Sequence, residues 1–359
     1  MPQTQLIKQL IDANLPFAAF RLPGKKEEIQ IIAQNDHSVE EMDISEIDMQ
    51  KGFVCADFES TVSGKAWLIR PDIYIPDAQS VFNQLVDLNN KANSFKITNL
   101  ETSNEDYVNR VEYLINFLND SSLEKIVFSR MINMPPFPDF DAVEFFKALD
   151  RKYTDAYVYM FKLPNSGIWI GASPETLFHL TDEHLTTVAL AGTRPTDDIS
   201  WTDKEINEQK IVRDFIHGIL AENNIQHFVE RGPVTVIAGT VVHLKTIFQT
   251  PAAEVIGKSG KLIKALHPTP AICGLPKKQA FELIKKVEKH ERRFYSGFSG
   301  PWNLGGNSHL FVNLRCAEIG KSGMNIYVGG GITVDSDPAA EWDETVRKSQ
   351  TLLSVIEKL

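Results

Sequence analysis

The strongest constraint on the fold is a series of apolar runs separated by short reversals. In "AYVYMFKLPNSGIWIGASPETLFHLT", residues 156–181, Pro164-Asn165-Ser166-Gly167 stands between two runs rich in aromatic and β-branched side chains. Proline presets φ, and Asn and Gly accept the backbone angles of a tight turn, so the two runs fold back as neighbouring strands. "GFSGPWNL", "HLFVNLRCAEI" and "MNIYVGGGI" read as a second meander, turning at Gly305-Gly306-Asn307 and at Gly320-Lys321-Ser322-Gly323. Strands joined this closely are antiparallel, because parallel neighbours need a crossover of about a dozen residues. "EKIVFSRMINM" adds another strand.

Helical spacing appears in "SNEDYVNRVEYLINFLND" and is expected again near 139–152, 202–223, 277–290 and 338–358. The result is an α+β chain and not a βαβ series. The first hundred residues read as short strands ("FAAFRL", "EIQIIAQ", "GFVCADF", "KAWLIRPDIYI") and one helix in "DAQSVFNQLVDLNNKAN", with no chemistry standing out.

Composition narrows the function. With 43% apolar and 23% charged residues over 359 positions, the chain can bury a large core and is not disordered. A net charge of -10 argues against a nucleic-acid or anionic-membrane partner, since both reward clustered Lys and Arg. Cys55, Cys273 and Cys316 are scattered, so neither a disulfide framework nor a thiolate zinc site is indicated. The N-terminus lacks signal-peptide features, and no apolar run approaches the roughly 18 residues of a membrane span. A cytoplasmic protein is expected.

Two helices carry an E-x-x-E pair where burial should begin. In "TDKEINEQKIVRDFIHGILAENN", Glu208 shares a stripe with Ile211, Val212, Phe215 and Ile219, and Glu205 lies one turn earlier. The last helix, capped by Asp or Ser with Pro338 near its start, places Glu341, Glu344, Lys348, Leu352 and Val355 on one face. Packed carboxylates repel unless a cation joins them, and an all-oxygen donor set completed by water suits Mg²⁺. Two solvated helix starts, where acidic residues favour the macrodipole, explain the same spacing.

Lys125 begins a strand and alternates onto the face of Val127 and Ser129, as a buried base or as a solvated edge residue. Glu175 follows "GASP" at a turn, as a general acid in a cleft or a plain turn carboxylate. Arg315 interrupts an apolar strand and needs an anionic partner, from a ligand or from the protein. Gly329, Gly330 and Gly331 end a strand where backbone N–H groups can approach an anion. "GGGITV" lacks dinucleotide-binding spacing, "GKSGKL" is not a P-loop, and no G-x-S-x-G elbow occurs.

Taken in order, "KIVFSR", "GIWIGASPETL", "ALAGTRP", "EINEQKIVRDFI", "LHPTPAICGLPK", "ERRFYSGFSG", "FVNLRCAEI" and "GGGITVDSDPAAEWDETVRKSQ" resemble the chorismate-utilising enzymes: isochorismate, salicylate, anthranilate and aminodeoxychorismate synthases. The likeness covers roughly residues 104–358. It implies one large α+β domain, with two packed antiparallel sheets and helices outside. Residues 1–100 form its divergent N-terminal part and 101–359 the chorismate-binding core. It implies Mg²⁺ held by Glu208 and Glu344, with Glu205 and Glu341 ligating directly or through water. Gly192, Thr193, His243, Tyr295, Arg315, Gly329, Gly330 and Lys348 are implied as contacts to chorismate.

Lys125 matches the water-activating lysine of isochorismate and salicylate synthases, where anthranilate enzymes resembling this chain have glutamine. Ala191 stands where aminodeoxychorismate synthases place a nucleophilic lysine. Gln209 departs from relatives that carry histidine after the metal glutamate. The expected activity is therefore isochorismate synthase, with Lys125 as base, Glu175 as acid, no glutaminase subunit and a monomeric chain. Salicylate synthase, which goes on to eliminate pyruvate, is the alternative. Whether the product feeds menaquinone or siderophore synthesis stays open.

Overall fold

A computed structural model describes residues 2–25, 28–77, 80, 95–98, 100–136, 140–197, 199–239 and 241–359. The helix expected in 77–93 falls almost wholly outside these residues. In chain order the N-terminal elements are α1 (Gln3–Asp12), β1 (Phe17–Arg21), β2 (Gln30–Ala33), β3 (Glu40–Asp43), β4 (Gly52–Ala56), α2 (Ser60–Ser63), β5 (Lys65–Ile69) and β6 (Ile73–Ile75). Next come α3 (Asn104–Asn119), β7 (Lys125–Met134), α4 (Ala142–Lys152), β8 (Tyr157–Lys162), β9 (Ile168–Ser173), β10 (Thr176–Leu180), β11 (His184–Pro195) and α5 (Asp203–Glu222). They are followed by β12 (Val229–Ala238), β13 (Val241–Pro251), α6 (Ser259–Leu266), β14 (Gly274–Leu275) and α7 (Lys277–Val287). The chain closes with β15 (Phe298–Trp302), β16 (Ser308–Val312), β17 (Cys316–Gly320), β18 (Gly323–Ile332) and α8 (Pro338–Ile356).

These strands build two nine-stranded antiparallel sheets. The first runs β14-β7-β18-β17-β9-β8-β1-β2-β6 and the second β12-β13-β11-β10-β16-β15-β4-β5-β3. Strand alternation explains the layering. Along β8, Tyr157, Tyr159 and Phe161 join a core between the sheets with Phe20, Phe53, Trp169, Phe311 and Tyr327, whereas Val158 and Met160 face a second core under α1, α4 and α8. α5 and α6 cover the outer face of the second sheet, and α3 and α7 pack beside β7. Both faces of the central strands are therefore buried, which accounts for their nearly unbroken apolar runs.

The second meander differs from its expected form. "HLFVNLRCAEI" is not one strand: β16 belongs to the second sheet and β17 to the first, with the chain crossing between them at Asn313-Leu314-Arg315. Arg315 thus leaves the strand, adopting φ 48°, and does not interrupt it. The same step occurs between β9 and β10, at Pro174-Glu175. "KAWLIRPDIYI" is likewise split into β5 and β6, in different sheets.

The buried stripe of α5 is Glu205, Gln209, Val212, Ile216 and Leu220, one residue round from the expected one, so Glu208 sits at its rim. α6 and the long ribbon β11–β13 have no counterpart in the sequence reading. The glycines of "GKSGKL" obscured α6, yet a Cβ on Gly260 would lie 2.2 Å from the Ile44 carbonyl oxygen, so Gly260 permits close packing.

Trp169 is fully buried between Phe294 and Tyr327, with ring centroids 5.5 and 5.3 Å away. Trp169→Ala is expected to cost about 3–5 kcal/mol. Equilibrium urea unfolding checks this, and a loss below ~1 kcal/mol contradicts the packing described.

Candidate active site

The glycine-rich end of β18 pairs with β7 so that Gly329, Gly330 and Gly331 stand opposite Ser129, Phe128 and Val127. With no side chains there, three acidic side chains approach the strand. A Cβ on Gly331 would lie 2.3 Å from Glu208 Oε1, and one on Gly330 would lie 2.9 Å from Glu341 Oε2 and 3.6 Å from Glu344 Oε1. α5 and α8 deliver these carboxylates from their first two turns, Glu341 from the first and Glu208 and Glu344 from the second. Each meets its own lysine. Lys125 Nζ is 2.8 Å from Glu208 Oε1, Lys204 Nζ 2.6 Å from Glu341 Oε1, and Lys348 Nζ 2.6 Å from Glu344 Oε1.

Lys125, placed by the start of β7, is wholly buried and not a solvated edge residue. Lys348 also donates to the Gly329 carbonyl at 3.0 Å. Burial pushes the Glu341 carboxyl up to about 7, helped by the neighbouring Glu344 and opposed by Lys204. For Glu344, burial is outweighed by Lys348, which holds its carboxyl below the usual range. Glu341 Oε1 also accepts from Ser336 Oγ at 2.8 Å, but Glu341 Oε2 is buried with no hydrogen-bond partner among the described residues.

Glu205 is brought near Gly192 but not into this cluster. Its carboxylate closes a capping box with the Thr202 backbone N–H and hydroxyl at the start of α5, and its Oε1 lies 3.9 Å from Arg194. Among the described residues no group of three His, Cys, Asp or Glu side chains stands together as a metal site. The donor chemistry nevertheless fits a hard divalent cation: Glu208, Glu341 and Glu344 offer only oxygens around Gly330 and Gly331, and one of them is unpaired.

The same strand end lines a pocket closed by Glu175, Gly192, Thr193, Glu208, His243 and Tyr295, with Arg315 and Lys348 on its wall. Lys125 lies behind Glu208, its Cε 2.8 Å from where a Gly331 Cβ would stand. Glu175 is 2% exposed and its Oε1 has no hydrogen-bond partner among the described residues. Burial pushes its carboxyl up to about 8, against the pull of Lys125 and Lys348. The side chain is therefore a neutral acid at neutral pH.

Opposite stands a basic pair. Arg315 Nη2 donates to His243 Nε2 at 3.1 Å, which fixes the tautomer so that Nδ1–H donates to the Gly192 carbonyl at 3.0 Å. Burial, then the charges of Arg315 and Lys348, push His243 down to about 3, so the ring stays neutral and the positive charge resides on Arg315. Tyr295 stacks on Tyr327 at 5.5 Å, and Gly329 leaves room for its hydroxyl.

Sequence reasoning missed Lys204, Arg292 and the apolar walls Leu190, Ile272 and Leu314. Lys204 is one helical turn from Glu208 and was legible as a cation beside two acids. Arg292 is buried, pairs with Glu288, and donates to the Val127 and Ile272 carbonyls at 2.7 Å each, tying two pocket walls together. Nothing in local spacing marks that role.

The chain belongs to the chorismate-binding enzyme family, whose model matches residues 72–357. It is 28% identical over 263 residues to the vibriobactin-specific isochorismate synthase of Vibrio cholerae serotype O1, covering 70% of this chain and 67% of that protein. It is also 28% identical over 246 residues to the isochorismate synthase EntC of Escherichia coli K12, covering 65% and 62%. The matches thus span about two thirds of these relatives' length. The structure of MenF, the menaquinone-specific isochorismate synthase of Escherichia coli, superposes with a TM-score of 0.74 at 19% identity, over 95% of this chain and 88% of that one. DhbC from Bacillus anthracis superposes with a TM-score of 0.79 at 22% identity, over 98% and 99%. These likenesses show a shared fold.

The raised Glu175 carboxyl has a consequence for stability. The unfolded chain releases this proton near the ordinary 4.5, whereas the folded site keeps it until about 8. The folded state therefore loses stability as pH rises between those values. Glu175→Gln removes the titration. The melting temperature of wild type relative to Glu175→Gln is expected to fall between pH 5 and pH 9, and a pH-independent difference contradicts the buried, protonated acid.

Proposed function

We propose that the protein is an isochorismate synthase, converting chorismate to isochorismate with Mg²⁺ as cofactor. The observation that carries this reading is one pocket lined by a buried protonated glutamate, by Glu208 with the buried Lys125 paired behind it, and by two cations, Arg315 and Lys348. The reaction adds a hydroxyl at C2 and removes one at C4, so it needs one group to take a proton and another to give one.

Lys125 acts as a neutral amine: the proton it carries in the ion pair with Glu208 passes to solvent, and the amine then takes a proton from the water that attacks C2. Glu175 gives its proton to the C4 hydroxyl, which leaves as water. One water enters and one departs, so the net change is an isomerisation. Arg315 and Lys348 meet the negative groups of the substrate, with neutral His243 holding Arg315 in place without competing for the anion. Gly192, Thr193, Tyr295, Gly329 and Gly330 shape the wall, the glycines letting backbone approach the ligand.

Glu208, Glu341 and Glu344 would hold Mg²⁺, with Glu205 reached through water; when bound, the ion supplies positive charge for the ring carboxylate. Lys125 in place of glutamine supports water rather than ammonia as nucleophile, hence no glutaminase subunit. Residues 1–100 act within the same domain, because their strands extend both sheets. No helix among the described residues is long and apolar enough to cross a membrane. The reading takes the protein as a cytoplasmic monomer acting on a small anion.

Lys125→Met and Glu175→Gln are each expected to lower kcat by about 10²–10⁴-fold with the fold intact by circular dichroism. Chromatography of the products of chorismate and Mg²⁺ is the test. Isochorismate supports the proposal, salicylate with released pyruvate replaces it with the salicylate synthase reading, and no turnover points to a silent binding module. For the wild type, kcat/KM is expected to fall above about pH 8 as Glu175 loses its proton. A rate still rising through pH 9 excludes Glu175 as the acid.

A further inference from the structure

Tyr107 lies on α3, and no role in the site has been given to it so far. It is fully buried, with its ring 5.0 Å from Phe128 and 5.6 Å from Trp342, and these contacts explain the aromatic body but not the hydroxyl. Tyr107 Oη has no hydrogen-bond partner among the described residues. Leaving a buried O–H unpaired costs more than a phenylalanine would in the same place.

The hydroxyl points at the carboxylate cluster. A Cβ on Gly330 would have as neighbours Glu341 Oε2 at 2.9 Å, Glu344 Oε1 at 3.6 Å and Tyr107 Oη at 3.9 Å. Three oxygens from α3 and α8 thus gather round the missing side chain of one glycine. An ordinary phenol keeps its proton at neutral pH, so the hydroxyl is a donor. Glu341 Oε2 is its natural complement: a buried acceptor, also unpaired, at the same glycine. The two are not bonded to each other, so a third atom belongs between them.

We propose that Tyr107 is a positioning residue of the cation site, its hydroxyl donating to a water held on Glu341 and so aiming Oε2 at the metal. The water accepts from Tyr107 and donates to Glu341, satisfying both orphaned groups. Gly330 is required because a methyl group there would fill the space. This inference rests on the proposed Mg²⁺ site.

Calorimetric titration of Mg²⁺ alone into wild type, Tyr107→Phe, Glu341→Gln and the double variant tests it, alongside melting temperatures with and without the ion. Tyr107→Phe keeps the ring packing, so it is expected to fold. Its Mg²⁺ Kd is expected to rise about fivefold, the value of one ordinary hydrogen bond. In the Glu341→Gln background the same change is expected to add nothing. An unchanged Kd with a higher melting temperature in the metal-free variant means the hydroxyl is an orphan, and overturns the inference alone. If wild type itself binds no Mg²⁺, the metal reading falls and this inference with it.

Discussion

Three carboxylates and three lysines share a largely buried crevice at the end of β18, each acid in contact with one lysine. An isolated ion in such a place costs several kcal/mol. Glu208 with Lys125, Glu341 with Lys204 and Glu344 with Lys348 avoid that cost by direct contact at 2.6–2.8 Å. The pairs join β7 to α5, α5 to α8, and one turn of α8 to the next. The acids that a cation would collect therefore also hold two helices onto the glycine strand.

The two sheets serve this crevice by exchanging strands. Where the chain steps from β9 to β10 and from β16 to β17 it leaves one sheet for the other and continues neither ladder. Glu175 sits at the first of these two steps and Arg315 at the second, both buried. One is buried and held neutral; the other is buried and kept charged against a neutral histidine. Both groups keep their protons, and the surroundings suit each: Glu175 Oε1 has no hydrogen-bond partner among the described residues, whereas Arg315 has His243 and Thr351 as acceptors. Strand crossing is thus how an apolar double sheet acquires a polar centre.

Much of this was legible beforehand. Hairpin chemistry at Pro164–Gly167 foretold antiparallel pairing, helical spacing located five helices, α3, α4, α5, α7 and α8, and the E-x-x-E pairs pointed to a shared acidic site. Pattern alone failed where tertiary context decides. The kink at Arg315 is invisible in "FVNLRCAEI", because alternation continues through it while the chain changes sheets. Glu205 and Glu208 look equivalent in spacing, yet one closes a capping box and the other reaches the lysine. Whether Lys125 is an edge residue or a buried one depends on β14 and β18 flanking it, and no local window contains that fact. The family likeness supplied roles for these residues; the structure supplies the contacts on which such roles rest.

The central claim is that solvent water, activated beside Glu208 by Lys125, becomes the new hydroxyl of the product while the original C4 hydroxyl departs toward Glu175. Turnover of chorismate in ¹⁸O-labelled water with Mg²⁺, followed by mass spectrometry and NMR of the product, reads this directly. Isochorismate carrying one labelled oxygen at C2 is the predicted result. Isochorismate without label would show that the hydroxyl migrates within the substrate, contradicting the assignment of Lys125 and Glu175 as a base and acid acting on separate waters.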